Sequence, residues 1–286
     1  MRLILLTTLT MVAFAANSVL NRLALADGAI GPAEFAGVRV VAGAVTLMIL
    51  AGRAGPTALS EWRVRIVPTL ALVLYLITFS AAYIALDAGA GALILFGAVQ
   101  VTMFGGALVA GERVERVRWA GAALALGGLA WLLWPGGTAP PLGWSAMMGV
   151  AGIGWGIYSL WGKKGGPPLP ATAANFTLAV PLTLLVAAFL IGPRIVAEPW
   201  GIALAILSGA VTSGLGYALW YTVLPSLGAV VAALVQLSVP VIAMAGGMVF
   251  LGEALTLRFV LASTLVIGGI ALGVLGNQRW MGSKGS

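Results

Sequence analysis

The octapeptide GGALVAGE at residues 105–112 recurs as GGMVFLGE at residues 246–253, 141 residues further along the chain. The same offset aligns the glycine pair at 127–128 with the pair at 268–269, and 11 of the 39 positions from 92 to 130 are identical. It also aligns Phe14, Ser18 and Arg22 with Trp155, Ser159 and Lys163. Apolar composition alone rarely repeats Gly-Gly and Gly-Glu at one fixed spacing. The chain is therefore predicted to consist of two related halves.

The composition around these motifs is typical of a membrane protein. Of 286 residues, 61% are hydrophobic and 8% are charged, whereas soluble domains average about 25% charged residues. A helix that crosses a bilayer needs about 20 mostly apolar residues. The first 16 residues resemble a signal peptide, but the apolar run continues to about Leu25, which predicts a retained first helix. We predict ten transmembrane helices near 3–25, 32–52, 64–86, 88–110, 117–134, 144–162, 169–192, 199–222, 227–251 and 257–276.

The repeat divides these ten helices into two halves. Residues 1–134 are predicted to form the first five-helix repeat, 135–143 a connecting loop and 144–278 the second repeat. The tail at 279–286 is predicted to be in part a cloning remnant. Because five is an odd number, the second half must enter the membrane in the opposite sense. We therefore predict an all-α membrane protein with two inverted repeats, an architecture of many secondary transporters, whose substrate site lies near the membrane midplane.

The Lys and Arg residues of the predicted loops set the orientation. The side that holds both termini carries 11 of them, and the other side carries Arg22, Arg194 and Arg258. Positive charge concentrates in cytoplasmic loops. Both termini are therefore predicted to lie in the cytoplasm, with the helices in a bacterial inner (plasma) membrane.

The amino-acid inventory excludes most intramembrane chemistry. The chain contains no His and no Cys, and no pair of acidic residues lies deep within the predicted helices. The residues needed for Ser-His catalysis, for metal-dependent catalysis and for catalysis by a pair of aspartates are therefore missing from the sequence. We predict a protein that is not an enzyme and needs no cofactor, with an intramembrane enzyme as a remote alternative. The net charge of +7 does not indicate nucleic acid as a partner, because the basic residues are scattered among short loops.

Three patterns resemble the EamA-type branch of the drug/metabolite transporter superfamily. They are Phe14-Ala-Ala-Asn17 followed by Asn21, the pair Phe35 and Arg39, and Gly-Glu at 111–112 and 252–253, with Pro240 before the second copy. The resemblance covers nearly the whole chain. Within the superfamily it is strongest to the bacterial YddG-type exporters of aromatic amino acids. It implies a transporter of small metabolites.

Two predicted helix faces carry aromatic and hydroxyl side chains at equivalent positions. Their members, each at i, i+4 and i+8 and related by an offset of 138 residues, are Tyr75, Phe79 and Tyr83, and Ser213, Tyr217 and Tyr221. Residues at this spacing share one side of a helix. We predict that both faces line a cavity that stacks a planar or apolar substrate. The alternative is packing or, for Tyr83 and Tyr221, a position at the membrane interface.

Four further residues complete the predicted substrate-binding set. Trp155 and Tyr158 share a face of the sixth predicted helix, and Tyr158 aligns with Asn17 of the first. Asn17 and Gln236 are amides within apolar helices, where an unpaired polar group is costly, so both are predicted to point inward. Gln236 also lies one turn before a proline, which can free a carbonyl toward a cavity. Hydrogen bonding between helices is the competing explanation for both amides.

Arg39 and the two repeated glutamates are assigned structural roles. Arg39 lies well inside a predicted helix, and we predict that it snorkels to the membrane surface or pairs with Asp27 or Glu34, with a substrate carboxylate as the alternative partner. Glu112 and Glu253 are predicted to cap the helices that follow them, at 117–134 and 257–276. The glycine pairs are predicted to allow close contact between helices.

The leading functional hypothesis is an exporter of amino acids, chiefly aromatic and apolar ones, and of related small metabolites. Its predicted partners are this small-molecule substrate and the lipid bilayer. A transporter of sugars, nucleotide-sugars or lipophilic cations is the alternative. A cation carrier is expected to hold a buried carboxylate, and no acidic residue lies mid-helix here. The oligomeric state and the energy coupling are left open by the sequence.

Overall fold

The computed structural model of the chain describes residues 1–111, 116–162, 166–190 and 197–283, and this part is helical almost throughout. Its α-helices are α1 (Arg2–Leu25), α2 (Pro32–Ala51), α3 (Ala54–Ser60), α4 (Ile66–Ala82), α5 (Ala88–Val109), α6 (Arg116–Leu133), α7 (Leu142–Gly162), α8 (Pro168–Leu190), α9 (Pro199–Leu207), α10 (Gly216–Gln236), α11 (Val239–Leu251) and α12 (Leu257–Ser283). Trp62–Arg65 forms a 3-10 turn, and Ser208–Leu215 forms a π-helical segment between α9 and α10. The one extended pairing within these ranges joins Ile30 and Ala197. The predicted all-α fold is confirmed.

Several of these helices are long and apolar enough to cross a membrane. They are Arg2–Leu25, Pro32–Ala51, Trp62–Ala82, Ala88–Val109, Pro168–Phe189 and Pro199–Leu224. Shorter apolar helices occupy Val239–Leu251 and Leu257–Gly273. These helices indicate a multi-pass membrane protein. Each of the ten predicted segments is helical over most of its length, while the count of ten crossings and their orientation stay predictions.

Proline and glycine residues set several helix ends. Pro32 and Pro199 stand at the start of α2 and α9, where a backbone N–H has no helical partner to lose. At the end of α11, Gly252 has a φ of 67°, a left-handed conformation that favours glycine. The N–H of Glu253 then bonds back to the carbonyl of Gly247 at 3.1 Å. The helix α11 therefore ends at Gly252, and the chain turns out of the helix there.

The segment from 199 to 251 differs from the prediction. We expected a break between residues 222 and 227, but the backbone of α10 is helical from Gly216 to Gln236. The interruption lies at Leu237 and Ser238, just before Pro240 in α11. Pro240 explains this position, because it has no N–H to donate to the carbonyl of Gln236.

The helices pack in a defined set of pairs. α2 contacts α8, α6 contacts α12, and α4 contacts α7. α5 lies between α7 and α11, while α1 contacts α11, α10 and the π-helical segment. The helices α4, α7 and α10, together with the π-helical segment, carry the side chains of the candidate site described below.

One glycine of most repeated pairs lies where two helices touch. A Cβ added to Gly269 would lie 2.5 Å from the carbonyl oxygen of Gly121 and 2.6 Å from the backbone nitrogen of Ala125, and one added to Gly128 would lie 2.8 Å from Leu265. A Cβ added to Gly268 would meet no described atom within 4 Å. The predicted role of close helix approach therefore belongs to specific members of the pairs.

Replacing Gly269 with alanine is expected to lower thermal stability. The added methyl group would force the backbones of α6 and α12 apart, and overpacking of this kind costs about 1–3 kcal/mol. At roughly 2–4 °C per kcal/mol for a protein of this size, the midpoint of thermal unfolding in detergent should fall by about 2–12 °C. Gly268→Ala is the matched control, and its midpoint should stay unchanged or rise, because alanine favours helix. Equal midpoints for the two variants would contradict the packing argument.

Candidate functional site

Six aromatic side chains meet between α4, α7 and α10. Trp155 of α7 stacks on Tyr158 of the same helix and on Tyr217 of α10, with ring centroids 5.3 Å apart in both pairs and planes 24° and 25° apart. Tyr75 of α4 lies 5.1 Å from Trp155, and rings continue along α4 through Phe79 to Tyr83 at 5.1 and 4.8 Å. We call this group the aromatic cluster; its members are Tyr75, Phe79, Tyr83, Trp155, Tyr158 and Tyr217.

Local sequence explains how α4 presents its three rings. Tyr75, Phe79 and Tyr83 are four residues apart, so they lie on the same side of the helix. All three are buried, and Tyr83, just past the end of α4, is completely so. Gly91 makes room for the last ring, since a Cβ there would lie 2.5 Å from Tyr83 Cε1. The predicted face therefore exists, and it packs inward.

A hydrogen-bond chain extends the cluster toward α8. The hydroxyl of Tyr158 donates to Thr172 Oγ1 at 3.3 Å, and the hydroxyl of Thr172 donates to Tyr221 at 3.0 Å. Asn175 Nδ2 donates to the Tyr158 oxygen at 3.5 Å, while its own Oδ1 is buried without a partner. Hydroxyl and amide groups thus border the stacked rings, which suits a ligand with both planar and polar parts.

Arg39 lies against the other side of the cluster. Its side chain is fully buried. Its Nη2 donates to the Tyr75 hydroxyl at 3.0 Å and its Nε donates to Ser213 Oγ at 3.3 Å. The guanidinium carbon is 5.3 Å from the centre of the Tyr75 ring and 5.0 Å from that of Phe79. The predicted snorkelling and the predicted pairing with Asp27 or Glu34 are wrong, because α2 turns Arg39 into the protein instead of toward its rim.

The π-helical segment supplies Ser213 and a second polar group. Asn17 Oδ1 accepts hydrogen bonds from Ser208 at 2.5 Å and from Thr212 at 3.1 Å. Ser80 of α4 donates to Asn21 Oδ1 at 3.1 Å. These bonds join α1, α4 and the π-helical segment, and short π-helices occur frequently at functional sites. Asn17 is therefore an interhelical hydrogen-bond acceptor here, and its contact with substrate stays a prediction.

The structure brings most of the predicted substrate-binding residues together. The aromatic cluster holds six of the ten, Ser213 joins it through Arg39, and Tyr221 joins it through Thr172. Asn17 lies one step away, bonded to the residue before Ser213. Gln236 ends α10 and is half-buried. None of these positions tests substrate binding directly.

Two buried residues at the site were missed by the sequence analysis. Phe176 of α8 is fully buried, with its ring 5.8 Å from that of Tyr217. Thr172 bridges two tyrosines. Phe176 could have been found, because the 141-residue offset aligns it with Phe35 of the resemblance pattern. No comparable signal marks Thr172.

Glu253 forms a separate charged group with Arg22. Its carboxylate accepts hydrogen bonds from the backbone N–H of Ala88 at 2.8 and 2.9 Å and lies 3.7 Å from Arg22 Nε. Arg22 also lies 4.0 Å from Asp87 and donates to the carbonyl of Ile84 at 2.7 Å. Burial raises the pKa of the Glu253 carboxyl above its ordinary value, and the Ala88 hydrogen bonds oppose that rise.

The prediction that Glu253 caps the helix after it is wrong. Glu253 caps α5, whereas the N-terminus of α12 is capped by Thr256, whose Oγ1 accepts from the N–H of Phe259 at 3.1 Å. The reason is the left-handed Gly252, which ends α11 in a turn from which the Glu253 carboxylate reaches the N-terminus of α5. Other residues named in the sequence analysis lie outside the described part of the chain: Glu112, Lys163 and Arg194.

Comparison with known proteins gives a consistent picture. The model of the EamA-like transporter family matches residues 142–275, nearly the segment predicted as the second repeat. A Pseudomonas aeruginosa protein named "Uncharacterized protein PA1977" is 48% identical over 275 residues, which is 95% of this chain and 94% of that protein. A solved crystal structure superposes with a TM-score of 0.65 over 96% of this chain and 98% of the other. At 17% identity, that likeness concerns the fold alone.

Proposed function

We propose that this chain, whose residues 142–275 match the EamA-like transporter family, is a membrane transporter that exports amino acids, chiefly aromatic and apolar ones, across a bacterial inner membrane. The transported molecule would occupy the region of the aromatic cluster and move by alternating access of two helix bundles. No chemical reaction is part of this function.

The aromatic cluster is the observation that carries the substrate class. Its rings come from helices of both predicted halves, α4 in the first and α7 and α10 in the second. A planar side chain between such rings gains stacking in addition to burial. Tyr158, Thr172 and Asn175 add hydroxyl and amide groups at its border, where an amino acid would place its polar atoms.

Two inverted five-helix halves are part of the proposal. If residues 1–134 and 144–278 are related by a pseudo-twofold axis, equivalent helices should pack against each other or exchange partners. α2 and α8 are equivalent by the 141-residue offset, as are α6 and α12, and both pairs are in contact. The contact of α4 with α7 corresponds to that of the 199–236 segment with α1. This pattern supports two inverted halves, while the cytoplasmic position of both termini rests on the distribution of Lys and Arg in the loops.

The alternative substrates fit the site less well. A lipophilic cation requires a negative group nearby, but the charged residue beside the cluster is Arg39. A neutral sugar can also stack on aromatic rings, but it carries no charge that would pair with the buried Arg39. Nucleotide-sugars combine a planar base with negatively charged phosphates, as aromatic amino acids combine a planar ring with a carboxylate. They are therefore the alternative that the transport assay must include.

Counterflow into liposomes tests the proposal without knowledge of the energy source. Vesicles containing the purified protein and unlabelled L-phenylalanine should accumulate labelled L-phenylalanine or L-tryptophan well above empty vesicles, and both should saturate. Labelled glucose, UDP-glucose and tetraphenylphosphonium, each with its own unlabelled counterpart inside, are the comparison substrates. Absence of amino-acid counterflow with folded protein present, or counterflow of one comparison substrate alone, would refute the substrate class. Imposing a pH gradient on the same vesicles then measures proton coupling.

A further inference from the structure

Arg39 is a buried charge whose counter-charge is missing from the described part of the chain. Its side chain has no exposed surface. Its bonds go to two neutral hydroxyl groups, those of Tyr75 and Ser213. The ion pairs formed by described residues involve Arg22 and Arg65, and no described carboxylate lies within 4 Å of Arg39. A charged side chain inside a membrane is costly and usually pairs with an opposite charge or serves a function.

One arm of the guanidinium is also unused. Nη1 of Arg39 is buried and has no hydrogen-bond partner, although Nε and Nη2 both donate. A buried donor without an acceptor loses its interaction with water and gains nothing in return. The orphaned Nη1 belongs to the same guanidinium that lies over the rings of Tyr75 and Phe79. The unsatisfied donor therefore stands beside the aromatic cluster.

The fold itself does not require a positive charge at this place. The 141-residue offset aligns Arg39 with Val180 in α8, so the equivalent helix of the second half has an apolar residue there. Gly209 also lets the π-helical segment approach the backbone of Arg39 closely. That approach brings Ser213 to the Nε of Arg39 and holds the guanidinium against α4. The packing therefore holds the Arg39 guanidinium in one place. The aligned position in the second half, Val180, carries no charge.

We infer that Arg39 is the anchor for the carboxylate of the transported molecule. This rests on the proposed function insofar as the carboxylate is that of an amino acid. A guanidinium offers two parallel N–H donors that match a carboxylate, and such charge-assisted bonds are among the strongest in proteins. The carboxylate takes the hydrogen bond of Nη1 and neutralises the buried charge, while the rings of the aromatic cluster receive the side chain. Substrates without an anionic group are rejected.

Competition binding with the unmodified protein tests the inference first. Displacement of labelled phenylacetate by unlabelled phenylacetate, L-phenylalanine, L-phenylalaninamide and phenethylamine is measured in detergent. The first two carry a carboxylate and the last two do not, although all four share the phenyl ring. The two compounds without a carboxylate should bind about thirtyfold or more weakly, since an unpaired partner of a buried charge pair costs at least that factor. Equal competition by phenethylamine and phenylacetate overturns the inference, as does the absence of phenylacetate binding.

Variants then assign the discrimination to Arg39. Arg39→Gln should lose the preference for phenylacetate over phenethylamine, while Arg39→Lys should retain part of it because the charge remains. Arg65→Gln is the control, because Arg65 is also buried but contacts Glu61 and the carbonyl of Ala58, and its preference should be unchanged. A folded Arg39→Gln protein with the preference of the unmodified protein overturns the inference. Should phenylacetate bind as expected while L-phenylalanine shows no counterflow, the proposed function fails and the carboxylate anchor stands.

Discussion

Replacing Trp155 with alanine is expected to reduce the ratio of maximal counterflow to KM for L-phenylalanine about tenfold, which corresponds to about 1.4 kcal/mol. Trp155 borders the rings of Tyr75, Tyr158 and Tyr217 at 5.1 to 5.3 Å, so it is the one residue that connects α4 to α10 within the aromatic cluster. Each aromatic pair contributes about 0.5–1.5 kcal/mol beyond burial. A substrate ring that replaces part of this stack would lose the same contact in the variant.

The loss should depend on the ring and on the site. Trp155→Phe retains a ring and should restore most of the transport, which separates stacking from a general loss of structure. Trp131→Ala is the matched control, because Trp131 is 46% exposed on α6 and lies outside the cluster. Initial counterflow rates over a range of L-phenylalanine concentrations, normalised to folded protein in the vesicles, provide the measurement. An unchanged ratio in Trp155→Ala, or an equal fall in Trp131→Ala, would remove the aromatic cluster from the transport path.

The aromatic cluster was predictable because it depends on two features that can be read from the sequence: the spacing of residues along one helix and the alignment of the two halves. Tyr75 and Phe79 share a face by spacing alone, and the 138-residue offset pairs Phe79 with Tyr217. Both features need only helical geometry and the assumption that equivalent helices face a common interior. The same reasoning reached Trp155 and Tyr158, whose rings join the cluster. It extends to Phe176, which the 141-residue offset aligns with Phe35 and which the sequence analysis overlooked.

The environment of Arg39 could not be predicted in the same way. Its partners Tyr75 and Ser213 lie 36 and 174 residues away. Ser213 reaches Arg39 from a π-helical segment, for which the apolar pattern of the sequence has no signal. A charged arginine within a membrane helix is known to be energetically costly. That cost can be reduced by snorkelling to the membrane surface, by an ion pair or by a bound ligand, and the sequence does not choose among the three. The choice among them depends on which neighbours the packed helices bring to the guanidinium.

The role of Glu253 shows how a single turn changes a prediction. Capping by a glutamate that follows a helix is a sound local rule when the chain continues forward. Here the left-handed Gly252 turns the chain out of α11, and the carboxylate meets the N-terminus of α5, which is 165 residues away in the sequence. The sequence repeat could not reveal this contact with α5, because residues that align between the two halves can have the same backbone conformation and still form different hydrogen bonds. The consequence is that Glu253 holds three parts of the chain together: α1 through Arg22, α5 through Ala88, and its own segment after α11.

Replacing Glu253 with alanine is therefore expected to destabilise the protein strongly, by on the order of 3 kcal/mol. Loss of a helix cap costs about 0.5–2 kcal/mol, and removal of one member of a buried ion pair costs about 3–5 kcal/mol. The expected destabilisation lies below the sum of the two, because Arg22 would retain its hydrogen bonds to the carbonyls of Tyr83 and Ile84. For a protein of this length, the midpoint of thermal unfolding in detergent should fall by about 6–12 °C.

Two further variants separate the cap from the charge. Glu253→Gln keeps one acceptor oxygen for the N–H of Ala88 but loses the ion pair with Arg22, and we expect an intermediate fall in the unfolding midpoint. Asp87→Ala removes the other acidic neighbour of Arg22, at 4.0 Å; its side chain is 56% exposed, so its contribution is small and the midpoint should change by less than about 3 °C. If Asp87→Ala lowered the midpoint as much as Glu253→Ala, the negative charge near Arg22 would matter in general and the cap on α5 would not be the stabilising feature. A fall specific to Glu253 would instead assign the stabilisation to the cap and its ion pair on α5, a helix that contacts α7, which carries Trp155 and Tyr158.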